Sequence, residues 1–346
     1  MPRTRQLRDW LDQLFPRQPG EAPLPCAPAS SDASFRRYFR LDLPDGTTRI
    51  IMDAPPEYED CRPFIRIASL FHEAGVHVPE VLAADLEQGF LLLSDLGRTT
   101  YLDVLDARTA PALYRDANAA LIALQCASRP GVLPVYDRAL LQRELDLFPD
   151  WYIARHLGLT LDASQMADLR AVFAALLDNN LAQPQVFVHR DYHSRNLMLI
   201  GEAPTPAHSL TTANPGVLDF QDVVYGPITY DPVSLYRDAY IAWEEAQELD
   251  FVIRYWEAAR AAGLPVRADF DAFYRDYEWM GAQRQLKVLG IFARLYHRDG
   301  KDGYLKDMPR VMAYLRRTAR RYAELRPLAR LLDRLENRPH ETGLTF

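Results

Sequence analysis

The stretch from Val186 to Asp219 constrains this chain most, because three short apolar runs in it are each punctuated by polar groups. VFVHRDYHSRNLMLI leads from apolar residues into His189, Arg190 and Asp191, and Asn196 follows five residues after Asp191. A Pro-, Ser- and Thr-rich detour comes next, and GVLDFQD then brings in Asp219. Runs this short, bounded by turn formers, read as buried strands. Two carboxylates and an amide at strand ends are expected to face one cleft. That set suits phosphoryl transfer from ATP, which needs a base for a hydroxyl and oxygen ligands for magnesium.

Singly, HRD or LDF is an ordinary strand end with a turn-capping Asp. Their order and shared apolar framing point to a phosphotransferase, with Asp191 as catalytic base and Asn196 and Asp219 as metal ligands. His189 suits a structural role, bracing the loop through backbone or through a buried Asp such as Asp231. The alternation of His189, Asp191 and His193 also resembles the metal ligands of a hydrolase, but no further His cluster completes a dinuclear site.

The 346 residues fit one large or two ordinary domains. A net charge of −7 gives no general attraction to nucleic acid or to an anionic membrane, so neither is expected as a partner. Cys26, Cys61 and Cys126 lie far apart and suggest no disulfide framework or zinc site. MPRTRQLRDWLDQLF lacks a signal peptide's apolar core, and a cytoplasmic location is expected.

Leu7, Trp10, Leu11, Leu14 and Phe15 recur at helical spacing. Residues 16–28 are rich in Pro and Gly and read as a linker. A strand, a turn at Pro44-Asp45-Gly46 and the strand Ile50–Met52 form a hairpin pattern. A helix is expected from Cys61 to Ala74 with Gly75 as its stop, then a hairpin of Val81–Ala84 and Phe90–Leu93. Helical patterns follow over 112–126, 139–157 and 163–181, and resume from Pro232 with breaks at Pro265 and Gly300–Gly303. Residues 201–215 read as a mobile hairpin tip. The expected fold is α+β: a small sheet lobe with one main helix (1–96), then a larger, mainly helical lobe (97–346).

This order of features resembles the aminoglycoside phosphotransferase and choline kinase branch of the protein-kinase-like fold. LLLSDLG stands at the interlobe hinge, HRDYHSRN at the catalytic loop and LDFQD at the magnesium aspartate. SSDASFRRYFR, IIMDAPPE, LQRELDLFPDWY, GPITYDPVSLYRDAYI and QRQLKVLGIFARL more narrowly resemble bacterial anomeric kinases of N-acetylmuramate and N-acetylglucosamine. The resemblance implies ATP and Mg2+ as cofactors, an amino-sugar substrate in cell-wall recycling, and a sugar-1-phosphate nucleotidyltransferase as the next enzyme. It also implies adenine held by backbone near Ser94, Asp95 and Leu96. The alternatives are a kinase of the same fold acting on an aminoglycoside or amino alcohol, or a silent nucleotide-binding regulator.

One departure from the kinase pattern is informative. The only lysines are Lys287, Lys301 and Lys306, so the strand reading Arg49-Ile50-Ile51-Met52-Asp53 presents none to phosphate. Positive charge must come from Arg36 or Arg37, in a loop where Ser34 stands in for the usual glycines. Arginine can bind phosphate oxygens bidentately and keeps its charge. For the acceptor pocket, Glu144, Trp151, Tyr192, His193, Asp222, Arg237 and Lys287 are candidates, with Arg284 as a further cation for the lactyl carboxylate of N-acetylmuramate.

Overall fold

Side-chain alternation along the N-terminal strands decides how this region packs. The computed structural model of the chain describes residues 2–18, 20–30, 35–202 and 214–336. It places β1 (Cys26–Ser30), β2 (Arg37–Asp42), β3 (Thr48–Asp53), β4 (Val81–Asp85) and β5 (Phe90–Ser94) in one sheet. The order is β1-β2-β3-β5-β4, antiparallel throughout. Successive residues point to opposite faces. Leu41, Ile51, Phe90 and Leu92 therefore share one face, covered by Leu7, Trp10 and Leu11 of α1 (Pro2–Leu14). Met52, Leu91 and Leu93 join the main core together with Phe64 and Phe71 of α2 (Cys61–Glu73). Helix α2 is capped by Asp60, which accepts from Arg62 N, and stops before Gly75, whose φ is 77°.

Strand β1 corrects the reading of residues 16–28 as linker. Cys26 to Ser30 pair with Leu41 to Tyr38 at the sheet edge. An edge strand needs hydrogen bonds on one side only and so tolerates Pro28, which hid it from a composition argument.

The remainder is mostly helical: α3 (Tyr101–Val104), α4 (Ala110–Cys126), α5 (Arg138–Leu147), α6 (Ala163–Leu181), α7 (Tyr230–Tyr236), α8 (Glu245–Ala261), α9 (Phe270–Asp299), α10 (Met308–Arg321) and α11 (Arg326–Leu335). Helix α9 is its spine, buried without interruption from Asp276 to Gly290. Because that stretch carries Glu278, Arg284 and Lys287, its burial demands charge partners inside the protein. The single helix expected over 139–157 is in fact α5 followed by a π-helix, Phe148–His156. Pro149 has no N–H to donate, and the wider turn absorbs the break. Gly290 lets α9 approach this junction: a Cβ there would lie 2.5 Å from the Leu147 backbone.

Two short ribbons carry the polar run. β6 (Gln185–Val188) pairs with β9 (Val224–Pro227), and β7 (Leu197–Met198) with β8 (Gly216–Val217), both antiparallel. After strand β9, helices resume with α7, which starts at Tyr230, just before the expected Pro232. Val217 N donates to His77 O at 2.7 Å and Leu199 N to Thr99 O at 2.9 Å, tying the β7–β8 ribbon to the chain before it. Most of the expected hairpin tip, 203–213, lies outside the described residues. Among the described residues no helix is long and apolar enough to cross a membrane.

Candidate active site

Where β6 ends, the chain turns sharply, and Arg190 takes a left-handed φ of 76°. A side chain in that region is strained unless its surroundings hold it. Here the buried Asp231 carboxylate accepts from His189 N at 2.7 Å and from Arg190 N at 3.0 Å. The His189 ring spans the two strand ends: Nε2–H donates to Leu218 O at 3.0 Å, and Nδ1 accepts from Asp191 N at 3.3 Å. Both ring nitrogens are thus committed, which removes His189 from the hydrolase-type metal set and confirms its bracing geometry. Burial holds the imidazole neutral, lowering its pKa to about 4 against the opposing pull of Asp191.

The turn delivers Asp191 beside two cations one helical turn apart on α9. Arg284 Nη2 lies 3.9 Å from Asp191 Oδ1, and the carboxylate is 42% exposed, open to an incoming group. Partial burial pushes Asp191 up, but Lys287, then His193, Arg284 and His189, outweigh it and hold it at about 2. Lys287 keeps its charge although buried, through Glu144 at 3.0 Å and the Tyr230 hydroxyl at 2.9 Å.

Asn196 and Asp219 lie at matching ends of the second ribbon. Asn196 Nδ2 donates to Asp191 O at 3.0 Å, which turns the amide oxygen the other way, and Leu218 N donates to Asn196 O at 2.9 Å. Asp219 is exposed, has a φ of 59° and accepts from Gln221 Nε2 at 2.6 Å. Among the described residues no group of three or more His, Cys, Asp or Glu could hold a metal ion. Asn196 and Asp219 together offer hard oxygen only and too few ligands for a self-contained site. That fits magnesium, which completes its shell with nucleotide phosphates and water.

On the sheet side, Arg36 and Arg37 diverge. Arg36 pairs with Glu59 at 2.9 Å and lies within electrostatic reach of Asp222, across from the sheet. Arg37 hydrogen-bonds Asp53, which also binds Arg3 at 2.7 Å, and it lines a hollow with Leu7 and Arg8 of α1. Adjacent residues leaving a strand point opposite ways, so the two arginines part to opposite sides. Ser34 lies outside the described residues.

At the end of β5, Ser94 N donates to Glu80 O and Ser94 Oγ accepts from Glu80 N, at 2.9 and 2.8 Å. The Asp95 side chain is a structural tie, accepting from Arg40 Nε at 2.5 Å, Thr48 Oγ1 at 2.7 Å and Gly97 N at 2.9 Å. Leu96 packs against Gly216, where a Cβ would lie 2.8 Å from Leu96 Cδ1.

Three expected pocket residues are elsewhere engaged. Arg237 is fully buried, bonded to Glu248 at 2.6 Å, Glu278 at 2.9 Å and Thr318 at 2.9 Å. A guanidinium so enclosed has no face left for a sugar. Tyr192 is a core residue, its hydroxyl donating to Ala117 O at 2.8 Å. Glu144 is a counter-ion, consumed by Lys287, by Arg190 at 2.6 Å and by the Tyr136 hydroxyl. His193 remains near Asp191, its ring edge-on to Tyr240 and its buried Nδ1 without a hydrogen-bond partner among the described residues. Asp222 is exposed just beyond Asp219, and Trp151 packs on the core from the π-helix. Sequence reasoning missed Glu59 and Tyr230. Glu59 sits among several acidic residues before α2, and nothing periodic singles it out.

Comparison with known proteins places this geometry among relatives. The description "Phosphotransferase enzyme family" matches residues 25–270. The chain is 51% identical over 339 residues, 96% of its length and 97% of the relative's, to an N-acetylmuramate/N-acetylglucosamine kinase of Pseudomonas aeruginosa. It is 50% identical over 351 residues, all of both chains, to one of the same name from Neisseria meningitidis. Among solved structures, a choline/ethanolamine kinase family protein from Mesorhizobium loti aligns with a TM-score of 0.57 at 16% identity, over 95% of this chain and 99% of that one. An ADP-bound aminoglycoside phosphotransferase aligns with a TM-score of 0.52 at 14% identity, over 89% and 97%.

Proposed function

The chain belongs to the phosphotransferase enzyme family, and from that premise we propose an amino-sugar kinase. Its acceptors are N-acetylmuramate and N-acetylglucosamine, its donor is ATP with magnesium, and the hydroxyl attacked is the anomeric one. The observation that carries this reading is Arg284, whose Nη2 lies 3.9 Å from Asp191 Oδ1. A cation beside the acceptor base suits a neutral or anionic sugar better than a polycationic aminoglycoside or an amino alcohol. The silent-regulator reading is disfavoured by Asp191, Asn196 and Asp219 lying together with their backbone ties intact.

Asp191 receives the sugar hydroxyl. A carboxylate held at about 2 is ionised at neutral pH but is a weak base, so its work is chiefly orientation, with the proton moving late. Asn196 and Asp219 would hold magnesium, which when bound draws charge from the phosphate oxygens. Arg36 adds positive charge from the sheet side, and the Leu96 backbone holds adenine. Residues 1–96 form the nucleotide lobe and 97–346 the catalytic lobe. The protein works in the cytoplasm in peptidoglycan recycling, and its sugar 1-phosphate product passes to a nucleotidyltransferase.

The test is incubation with ATP, magnesium and a panel of amino sugars, locating the new phosphate by phosphorus NMR. Product at O1 supports the reading. Product at O6 sinks the anomeric assignment while leaving the kinase intact, and no sugar-dependent turnover sinks the kinase itself.

A further inference from the structure

Between Asp191 and Asn196 the chain closes two turns in succession. His193 N donates to Asp191 O at 3.0 Å, and Asn196 N donates to His193 O at 2.9 Å. Ser194, in the middle, turns outward from this pattern. It is fully buried, and its N–H and hydroxyl both donate to Asp238 Oδ2 just past α7, at 2.9 and 2.5 Å. We propose that Asp238 is a positioning residue for this turn, setting the acceptor base Asp191 and the candidate metal ligand Asn196 relative to each other. The inference rests on the kinase reading above.

Three observations carry it. Asp238 is itself fully buried, and a carboxylate out of water is tolerated only where polar hydrogens meet it. Oδ2 takes both Ser194 donors, and Oδ1 takes Tyr240 N at 2.9 Å. The same short segment also grips the residues on either side of Ser194. The Tyr240 ring makes a T-shaped contact with His193 at 5.5 Å and 76°, and Arg195 Cζ lies 3.8 Å from its centroid. Residues 193, 194 and 195 are thus held in succession by ring, carboxylate and ring again. Finally, this clasp stands on a firm base. Arg237 before it is enclosed by Glu248, Glu278 and Thr318. From α10, Arg310 donates to Ala239 O and the Tyr314 hydroxyl to Ile241 O at 3.4 Å.

On its other side Ser194 O accepts from Leu102 N of α3 at 3.2 Å, so the middle of the turn is pinned from both directions. Asn196 Nδ2 donates to Asp191 O at 3.0 Å, which joins the two ends of the turn. A shift at Ser194 therefore moves the base and the metal ligand together. A misplacement of about 1 Å at a reacting group can cost about 10²-fold in rate. A carboxylate that only satisfied buried donors would behave differently: replacing it would lower stability and leave the kcat of the remaining folded enzyme unchanged.

The experiment uses the full chain and the variants Asp238→Asn, Ser194→Ala and the two combined. It measures kcat per folded molecule, KM for ATP and for sugar, the magnesium concentration giving half-maximal turnover, and hydrogen exchange across residues 191–196. Asp238→Asn is expected to lower kcat about 100-fold with little change in either KM. The half-maximal magnesium concentration should rise, and exchange across 191–196 should quicken while that of α6 does not. Ser194→Ala removes only the hydroxyl and decides the matter where Asp238→Asn does not fold. Its kcat should fall about tenfold, the scale of one charge-assisted hydrogen bond. The combined variant should be no slower than Asp238→Asn alone, because the hydroxyl acts through the carboxylate. Unchanged kcat per folded molecule in Ser194→Ala overturns the proposal. So do multiplicative losses in the combined variant, a loss confined to KM, or unchanged exchange in Asp238→Asn. Failure of the kinase reading is separate. It would appear as wild-type protein with no sugar-dependent ATP turnover, and the exchange rates would still report whether Asp238 holds the turn.

Discussion

Lys287 Nζ lies 3.0 Å from Glu144 Oε1, and Arg190 Nη2 lies 2.6 Å from the same oxygen. One buried carboxylate therefore supports a cation on α9 and another on the turn that carries Asp191. Burial pushes Glu144 up, but Lys287, then Arg190 and Tyr136, bring it below the usual carboxylate range. The strong field that keeps Asp191 ionised depends on this second carboxylate, which needs no contact with substrate.

Lys287→Met leaves the Glu144 charge with one cation in place of two. Removing one partner of a buried pair should cost about 3 kcal/mol in denaturant-unfolding free energy. Adding Glu144→Gln should recover at least half of that loss, since the uncompensated charge is gone. A Lys287→Met cost below about 1 kcal/mol, the scale of an exposed pair, would show that the pairing does not carry this region.

Asp191→Asn keeps shape and loses the charge proposed to orient the acceptor hydroxyl. The rate kcat should fall by about 10³-fold while the melting temperature changes little. Steady-state assays of sugar-dependent ATP turnover check this, and a loss under tenfold would remove Asp191 from the chemistry.

His189 and Asp231 make opposite contributions to stability against pH. The folded His189 pKa is about 4 against an ordinary 6.5, so its contribution is present above 6.5 and lost as pH falls toward 4. Burial raises Asp231 to about 7 from 3.8, so its contribution is present below 4 and lost as pH rises toward 7. Relative to wild type, His189→Gln should make stability fall more steeply as pH rises from 4 to 7. Asp231→Asn should make it fall more steeply as pH drops from 6.5 to 4. Urea titrations at several pH values measure both slopes, and like-signed changes in the two variants contradict the assignment.

Gly290→Ala should destabilise the protein by about 1–3 kcal/mol through overpacking, although alanine is the better helix former. The added Cβ would meet the Leu147 backbone, which cannot yield as a flexible side chain would. Thermal melts decide it: an unchanged or higher melting temperature means the α5 junction can move.

Arg237→Met should lower stability by about 3–5 kcal/mol, by stranding Glu248 and Glu278 in the core, and leave the sugar KM of the residual folded enzyme unchanged. A raised sugar KM at equal folded fraction would return Arg237 to the pocket.

Local pattern was enough for much of this fold. Helix α6 runs Ala163–Leu181 as its periodicity predicts, and both hairpins of the sheet fall on their turn residues. Pattern failed where a neighbour sets the structure. Strand β1 exists because β2 offers an edge, and β9 because β6 does, while Pro149 turns one expected helix into two forms. The pocket list suffered more, because Glu144, Tyr192 and Arg237 look like ligands by residue type and are consumed by partners 40 or more residues away, or by buried carboxylates.

The sequence alone determined the chemistry that is available: Asp191, Asn196 and Asp219 on short apolar strands, and no lysine before Lys287. These are facts of residue type and local spacing, which alternation and turn formers translate directly into position. Only the tertiary structure decided which charges are spent. It bound Glu144 to Lys287, enclosed Arg237, turned Arg37 to Asp53 and paired Arg36 with Glu59. A charge is committed or free according to what lies within a few ångströms of it, and that is fixed by packing between segments that the chain order keeps far apart.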